Sequence, residues 1–314
     1  MRILVTGGAG FIGSHIVGRL LKDGFEVSVL DNFCSGLLEN ISSYFDMGLK
    51  LFEGDVSSMK VFDELSKYSF DVIIHLAALI SVDESCKFPL KYHHVNVDGT
   101  LNVLEFARRV GVDKFIFASS AAVYGDPIHL PINELHPLNP RSIYAASKVE
   151  GEFFVKVYSK LYGFKSTSLR IFNVYGPRQR LNDYSGVIRI FLDNAFNGKP
   201  LTIYGDGMQV RDFIYVDDVV DVIMKFIYAE DFVFDVYNVG TGKPTRIIDL
   251  AKLIIDLTGS SSGIVYAPAR SGDIRFSYAD ISRLRDEFNF NCRFDLREGL
   301  IRTINYFSNN ICYG

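Results

Sequence analysis

The sequence predicts an α/β protein in which a doubly wound parallel sheet of the Rossmann type is joined to a smaller second α/β domain. Three observations predict this fold. Apolar runs of strand length alternate with helical patterns, a glycine-rich turn joins the first strand to the first helix, and the alternation weakens past Tyr175. Alternating strands and helices imply right-handed crossovers, which make the strands of the sheet parallel.

The first half of the chain supplies the elements of this sheet. Apolar, β-rich runs predict strands, and apolar residues at intervals of three and four predict helices. The predicted strands are Arg2–Thr6, Glu26–Leu30, Val72–Leu76, Lys114–Ser119 and Ser166–Val174, and the predicted helices are Phe11–Lys22, Thr100–Val110 and Tyr144–Tyr162.

The second half has denser glycine and proline and further strand-like and helical pieces. These pieces are strands at Phe213–Val216 and Val236–Val239 and surface helices at Leu250–Leu257 and Leu296–Phe307. We therefore predict two domains, residues 1–173 and 174–314, with segments near residues 212–240 rejoining the first domain.

The composition excludes several classes of protein. Of the 314 residues, 48% are hydrophobic and 22% are charged, which is typical of globular chains and not of disordered or fibrous ones. The net charge of −4, without a run of basic residues, disfavours nucleic acid and anionic membranes as partners. The longest apolar stretch, residues 72–82, is shorter than the roughly 20 residues of a membrane span. Four separated cysteines favour reduced thiols in a cytoplasmic protein; they are Cys34, Cys86, Cys292 and Cys312.

The turn after the first strand predicts a phosphate-binding site. Gly7, Gly10 and Gly13 follow the pattern G-x-x-G-x-x-G between a strand and a helix. Glycine lets the backbone turn sharply, lets a pyrophosphate approach the helix N-terminus, and lets helix and strand pack closely. An ordinary tight turn also contains glycine, but the position between strand and helix favours a dinucleotide.

The second strand is followed by Asp31, which indicates the type of dinucleotide. A carboxylate at this point would accept hydrogen bonds from the adenosine ribose and would repel a 2′-phosphate. NAD is therefore favoured over NADP as the cofactor. A turn-forming role for Asp31 before Asn32 is the alternative.

Tyr144 and Lys148 lie at positions i and i+4 of a predicted helix and therefore share one face. A tyrosine phenol titrates near pH 10, and a nearby cation would lower that pKa and make the phenol a usable base. Ser120, at the end of the strand that precedes this helix, could reach a substrate oxygen shared with the phenol. A solvated helix face is the alternative interpretation of the Tyr–Lys pair.

Further motifs follow one another along nearly the whole chain. In the first half they are Thr6-Gly-Gly-Ala-Gly-Phe-Ile-Gly13, Asp55-Val56, His75-Leu-Ala-Ala78, Asn96-Val-Asp-Gly-Thr100, Ser119-Ser-Ala-Ala-Val-Tyr-Gly125 and Tyr144-x-x-x-Lys148. In the second half they are Arg170-Ile-Phe-Asn-Val-Tyr-Gly-Pro177, Val210-Arg-Asp-Phe-Ile-Tyr-Val-Asp217, Asn238-Val-Gly-Thr-Gly242 and Arg270-Ser-Gly-Asp273. Together they resemble the extended short-chain dehydrogenase/reductase family, and within it the NAD-dependent epimerase/dehydratase group.

This resemblance implies a first domain that binds NAD and a second domain that binds a nucleotide sugar, with UDP-sugars as the first choice. The residues that it assigns to NAD are Gly7, Gly10, Phe11, Ile12, Gly13, Asp31, Asn32, Asp55, Val56, Leu76, Ala77, Ala78, Asn96, Tyr144 and Lys148. The residues that it assigns to the nucleotide sugar are Ser120, Tyr144, Asn173, Arg211, Arg270, Asp273 and Ser277. It also implies a homodimer joined through the helices Thr100–Val110 and Tyr144–Tyr162.

By the same resemblance, Ser120, Tyr144 and Lys148 are the catalytic residues. Tyr144 would remove the O4 proton of the sugar, Ser120 would hydrogen-bond the developing keto oxygen, and Lys148 would hold the nicotinamide ribose. Dehydratases and decarboxylases of the family typically carry a glutamate after the serine, where this chain has Ala121 and Ala122. A methyl group transfers no proton, so 4-epimerisation, as in the UDP-glucose 4-epimerases, is predicted in preference to elimination.

Substrate preference and the competing functions rest on fewer residues. Epimerases restricted to plain hexoses often carry tyrosine where this chain has Ser277, so the small residue predicts room for an N-acetyl group at C2. The alternatives are 4-epimerisation of another nucleotide sugar such as UDP-glucuronate, a net reductase, and a non-catalytic NAD-binding regulatory protein.

No metal site is predicted, because the adjacent His93 and His94 lack a third ligand at a useful spacing.

Overall fold

The computed structural model describes residues 1–181, 185–270 and 272–311. For residues 310 and 311 it describes the backbone only. Ser271 of the motif at residues 270–273 and Cys312 lie outside the described residues. Among the helices of the described residues, none combines the length and the apolar character that crossing a membrane requires.

The strands and helices follow one another along the chain in an alternating order that is densest in the first half. The strands are β1 (Arg2–Thr6), β2 (Glu26–Asp31), β3 (Lys50–Glu53), β4 (Val72–His75), β5 (Lys114–Ser120), β6 (Lys165–Ile171), β7 (Asn173–Tyr175), β8 (Leu201–Tyr204), β9 (Val210–Tyr215), β10 (Asp235–Val239), β11 (Pro244–Arg246), β12 (Ile264–Ala267) and β13 (Phe276–Ser277). The helices are α1 (Phe11–Lys22), α2 (Lys60–Leu65), α3 (Val82–Lys87), α4 (Pro89–Tyr92), α5 (Gly99–Val110), α6 (Ile143–Tyr162), α7 (Val187–Phe196), α8 (Val216–Tyr228), α9 (Ile247–Thr258), α10 (Ser282–Phe288) and α11 (Leu296–Ile311).

The large sheet has seven strands in the order β10-β6-β5-β4-β1-β2-β3, which confirms the predicted fold class. β1 is parallel to both of its neighbours, with Thr6 opposite Leu30 of β2 on one side and His75 of β4 on the other. The strand order reverses at β1. At such a switch point the carboxyl ends of neighbouring strands open a crevice in which α/β proteins bind their ligands.

The central strands are buried on both faces, which is why they read as continuous apolar runs in the sequence. Residues 3–5 of β1 and all four residues of β4 are buried. A cluster of buried aromatic rings, including Phe106, Phe115 and Phe117, fills the core against β4 and β5. Packing around these buried strands therefore fixes the positions of the strand ends.

Two smaller sheets come from the second half of the chain. β9 pairs with β11, β13 and β7, and β12 pairs in parallel with β8. The predicted strand Ser166–Val174 is therefore wrong as a single element, because β6 ends at Ile171 in the large sheet and β7 begins at Asn173 in a smaller one. Between them, the Phe172 N–H donates to the Val239 carbonyl oxygen. Both pieces are extended and only Phe172 separates them, so the sequence pattern carried no sign of the break.

The chain divides into two compact units. Unit 1 comprises residues 1–123, 138–170 and 220–237, and unit 2 comprises residues 124–137, 171–219 and 238–314. The returning segment of unit 1 contains most of α8 and the start of β10, whereas β9 belongs to unit 2. The binding of NAD by one domain and of a nucleotide sugar by the other stays a prediction.

Candidate active site

The glycine-rich turn of unit 1 brings the backbone of β1 very close to α1 and to the loop after β4. Gly7 has a φ of +71°, and a Cβ atom there would lie 2.8 Å from the Ala77 nitrogen. A Cβ atom at Gly13 would collide with the Gly7 carbonyl oxygen. α1 starts at Phe11 without a side-chain cap, so the N–H groups of Phe11 and Ile12 at its first turn suit an anion. The geometry fits a pyrophosphate.

Asp31 ends β2 next to this turn. Its carboxylate accepts hydrogen bonds from the backbone N–H groups of Ala9 and Phe33, over 2.9 and 2.8 Å. Burial raises the pKa of Asp31, and the two hydrogen bonds oppose that rise. An ionised carboxylate offers about four acceptor positions, so two remain for ribose hydroxyls.

Asn32 and Asp55 join the ends of two neighbouring strands. The Asn32 amide donates to Asp55 over 2.7 Å, and the Ser57 N–H and hydroxyl donate to the other carboxylate oxygen of Asp55. Burial would raise the pKa of Asp55, but these hydrogen bonds lower it on balance. Val56 is buried beside them. The structure thus brings these three predicted cofactor residues to the same edge of the sheet as Asp31.

Asn96 lies in a π-helical segment, His93–Asp98, between α4 and α5. Such segments are rare and are frequent at functional sites. The Asn96 side chain accepts from the Leu79 N–H over 2.8 Å and donates to the Leu79 carbonyl over 2.9 Å and to the Ser147 hydroxyl over 3.0 Å. It therefore fixes the loop that follows β4, in which Leu76, Ala77 and Ala78 lie.

Ser120 and Tyr144, which the sequence predicts to act together, do meet. Ser120 ends β5 and is hydrogen-bonded to the phenol of the half-buried Tyr144 near the start of α6. Ser142 caps this helix by accepting from the Ala145 N–H over 3.0 Å, which sets where the first turn begins. Burial raises the pKa of the Tyr144 phenol, and the hydrogen bond with Ser120 opposes that rise.

Lys148 lies one helical turn beyond Tyr144 and is buried. Its ammonium donates to the Ala118 carbonyl oxygen over 2.8 Å and lies 5.0 Å from the centre of the Phe117 ring. Burial lowers the pKa of Lys148 to about 8, and the Glu152 carboxylate opposes this effect. The face of α6 that carries the Tyr144 phenol thus also carries a buried cation one helical turn away.

The predicted nucleotide-sugar residues of unit 2 gather around β9. Arg211 forms an ion pair with Asp273 over 2.5 Å and lies opposite Ser277 in the pairing of β9 with β13. Arg270 stacks on the Tyr204 ring, with its guanidinium carbon 4.1 Å from the ring centre. In β7, the Asn173 amide donates to the Asp212 carbonyl oxygen over 2.9 Å. Two guanidinium groups on one unit suit a diphosphate.

Comparison with known proteins places the chain in a family. The model of the NAD-dependent epimerase/dehydratase family matches residues 3–240, and this range contains the phosphate loop and the Tyr–Lys helix. The chain belongs to that family. NAD is accordingly its cofactor, and when bound it supplies the acceptor for a hydride.

Several members of the epimerase/dehydratase family resemble the whole chain. The UDP-glucose 4-epimerase of Mycolicibacterium smegmatis is 39% identical over 98% of this chain and 99% of that protein. The UDP-glucuronic acid decarboxylase 1 of Arabidopsis thaliana is 35% identical over 99% of this chain and 71% of its own length.

Solved structures from the same family are similar throughout. The UDP-glucose 4-epimerase of Thermotoga maritima, solved with UDP-glucose, has a TM-score of 0.94 at 37% identity and covers 99% of this chain and 100% of its own. The UDP-N-acetylglucosamine 4-epimerase of Methanobrevibacter ruminantium, solved with UDP-N-acetylmuramic acid, has a TM-score of 0.93 at 37% identity and covers 98% of each chain. These names agree on a UDP-sugar and differ in the sugar.

Three buried residues near the Tyr–Lys face were not predicted as site residues, although two of them, His75 and Arg170, belong to the motifs of the family. Glu152 follows Lys148 by one turn and is held by Arg170 of β6, and His75 lies between the hydroxyls of Thr6 and Thr100 at 2.7 and 3.0 Å. The available signal was a charged residue inside an element predicted to be buried. Glu152 repeats the four-residue spacing of Tyr144 and Lys148, and Arg170 is a charged residue inside a buried strand.

Proposed function

We propose that this protein is a nucleotide-sugar 4-epimerase that interconverts UDP-glucose and UDP-galactose through a transient 4-keto sugar. The observation that carries the proposal is the Ser120–Tyr144–Lys148 arrangement, followed by Ala121 and Ala122. This arrangement can remove one proton from a carbinol oxygen and return it. The two methyl side chains supply no further acid or base for an elimination.

The residues of unit 1 have distinct roles in this proposal. Tyr144, as the phenolate, takes the proton from O4 while C4 is oxidised, and it later returns the proton to O4. The Ser120 hydroxyl hydrogen-bonds the oxygen that becomes the ketone. The Lys148 ammonium keeps the phenol acidic enough to act near neutral pH. A ketose that presents its other face before reduction yields the C4 epimer.

The residues of unit 2 bind the nucleotide in this proposal. Arg211, Arg270 and Asn173 bind the diphosphate, and Asp273 contacts the nucleotide ribose. The short Ser277 side chain leaves room for an N-acetyl group at C2, so UDP-GlcNAc and UDP-GalNAc are further substrates. The relatives named for UDP-glucose and for UDP-N-acetylglucosamine support this range.

UDP-glucuronate is the second candidate substrate, because a UDP-glucuronic acid decarboxylase is among the relatives. Loss of carbon dioxide is disfavoured by Ala121 and Ala122, so this candidate is a 4-epimerase of the acid sugar. A reductase would consume reduced cofactor stoichiometrically, and a regulatory protein would bind NAD without turnover.

We further propose a homodimer through α6 and a cytoplasmic location. Phe153, Val157 and Leu161 are 55%, 46% and 67% exposed at intervals of four residues, which forms an apolar stripe along the helix. Such a stripe on a surface helix is typical of a helix–helix contact. The free cysteines among the described residues, such as Cys34 and Cys86, suit a reducing compartment.

Proton NMR of the anomeric region tests the function. The protein is incubated with UDP-glucose and a trace of NAD⁺, without an external reductant. Appearance of the UDP-galactose signal, levelling at a mixture of the two sugars, is expected. Unchanged UDP-glucose would exclude plain-hexose epimerisation, and the same assay with the N-acetylated and glucuronate sugars would then separate the remaining candidates.

A further inference from the structure

Glu152, Ser119 and Arg170 form a buried polar cluster one helical turn beyond Lys148. Arg170 donates to both Glu152 oxygens, over 2.9 and 2.7 Å, and both side chains are 5% exposed. The Ser119 hydroxyl donates to the same carboxylate over 2.5 Å. Glu152 therefore accepts three hydrogen bonds from two strands, β5 and β6.

The location of this cluster ties it to the reaction. Tyr144, Lys148 and Glu152 recur every four residues and occupy one face of α6. Ser119 is the neighbour of Ser120 on β5. Replacing a buried ion pair by well-packed apolar residues of the same volume is often neutral or stabilising, so this pair is weak evidence for a role in stability.

We propose that Glu152, held by Ser119 and Arg170, is a positioning residue that keeps Lys148 in the ammonium form and fixes Ser120 against Tyr144. The proposal rests on the 4-epimerase function proposed above. Glu152 acts through its neighbours and does not itself touch the substrate.

The charges around Lys148 support this role. On its own helix Lys148 lies one turn after Tyr144 and one turn before Glu152. His75 of β4 is close enough to interact with its charge, and Arg170 of β6 is paired with Glu152. Burial and the Lys148 charge lower the pKa of His75 to about 3, so that ring is neutral. Glu152 is thus the negative charge that offsets the burial of the ammonium.

In this proposal Tyr144 and Lys148 share one proton, and the active form carries it on the lysine. Without the Glu152 charge, the ammonium holds its proton less tightly, and the shared proton moves to the phenol. The fraction present as phenolate with ammonium then falls about tenfold for each unit by which the pKa of Lys148 drops. The first macroscopic pKa of the Tyr144–Lys148 pair is then also lower than in the wild type.

The test compares Glu152→Gln with Glu150→Gln, which changes an exposed carboxylate on the same helix. Two further variants keep the test decisive if Glu152→Gln does not fold. The double change Glu152→Met, Arg170→Met removes the ion pair without leaving a buried charge, and Ser119→Ala removes one hydrogen bond. Each is measured for kcat and KM across pH, for NAD content, and for phenolate absorbance relative to its own Tyr144→Phe derivative.

For Glu152→Gln and the double variant we expect kcat to fall about tenfold, the acid limb of the kcat profile to move to lower pH, and the phenolate signal of the first step to shrink. KM and NAD content should hold, and Glu150→Gln should match the wild type. Folded variants whose kcat falls without movement of the acid limb or of the phenolate signal would overturn the proposal and leave a structural role. If the wild type epimerises no nucleotide sugar, the proposed function fails, and the absorbance titration of the NAD-loaded protein still decides the role of Glu152.

Discussion

The side chains of Asn96 and Ser147 are joined by a 3.0 Å hydrogen bond, although 51 residues separate them. The Ser147 hydroxyl in turn donates to the Tyr144 carbonyl oxygen over 2.7 Å. Asn96 therefore connects the loop after β4, in which three predicted cofactor residues lie, to the first turn of the helix that carries Tyr144. We therefore expect a change at one of these places to affect the other.

Asn96→Ala should both lower the free energy of unfolding and weaken the binding of NAD. It leaves the N–H and carbonyl of the partly buried Leu79 without their side-chain partner, and each such hydrogen bond contributes about 0.5–1.5 kcal/mol. Urea unfolding and the NAD content of the purified protein measure the two effects. Asn197→Ala, at an exposed position, serves as the control. Unchanged NAD content in a destabilised variant would show that the hydrogen bonds of Asn96 do not affect NAD binding.

Gly13→Ala should abolish tight NAD binding. The added methyl group would collide with the Gly7 carbonyl oxygen, and relief of such overpacking costs about 1–3 kcal/mol and displaces the loop. A fluorescence titration with NADH measures the affinity. Gly263→Ala introduces the same methyl group where nothing lies within 4 Å, so it should bind NADH like the wild type. Normal affinity in Gly13→Ala would contradict the assignment of this loop to the pyrophosphate.

Tyr144→Phe should lower kcat by roughly 10²–10⁴-fold while NAD stays bound, because a positioned acid–base group is lost. The assay is epimerisation followed by NMR, with NAD quantified after denaturation. Tyr162→Phe changes an exposed phenol at the end of the same helix and should leave turnover unchanged. Activity of Tyr144→Phe within a few-fold of wild type would identify another group as the base.

Ser277→Tyr should narrow the substrate range. A bulky side chain in place of the serine fills the proposed N-acetyl space, and such steric differences are worth roughly 10–200-fold in relative kcat/KM. The measured quantity is the ratio of kcat/KM for UDP-GlcNAc to that for UDP-glucose. Ser277→Ala should preserve the ratio. An unchanged ratio in the tyrosine variant would place the acetyl group elsewhere.

His75 predicts a loss of stability in acid. Its pKa is about 3 in the folded protein and about 6.5 in the unfolded chain, so the unfolded state binds more protons between these values. Stability should therefore fall as pH decreases from about 6.5 to 3, by about 1.4 kcal/mol per pH unit from this group. Urea unfolding at several pH values measures the slope, and His75→Gln should flatten it. His94→Gln, at an exposed histidine, should not.

The elements of unit 1 could be predicted closely because their patterns are local. The strand Arg2–Thr6 and the helix Phe11–Lys22 have the predicted bounds, since a glycine turn separates them and the helix ends before Gly24. The break between β6 and β7 could not be predicted. Two consecutive extended pieces have the same sequence pattern whether they lie in one sheet or in two.

The candidate site was predictable where one element carries several of its residues. Tyr144 and Lys148 are one helical turn apart, so their common face follows from helix geometry. The pairing of Arg211 with Asp273 joins residues 62 positions apart, and the contact of Ser119 with Glu152 joins residues 33 positions apart. Neither contact has a local signature, because either partner alone could lie at the surface.

The sequence by itself determined the fold class, the glycine turn, the acidic residue after the second strand and the Tyr–Lys spacing. Each depends on neighbouring residues within one strand, turn or helix. Only the tertiary structure decided which strand ends meet. It also decided that Asn96 links a loop to α6 and that Lys148 and Glu152 are both buried. Burial and long-range hydrogen bonds set the protonation of these groups, and both arise only when distant segments pack together.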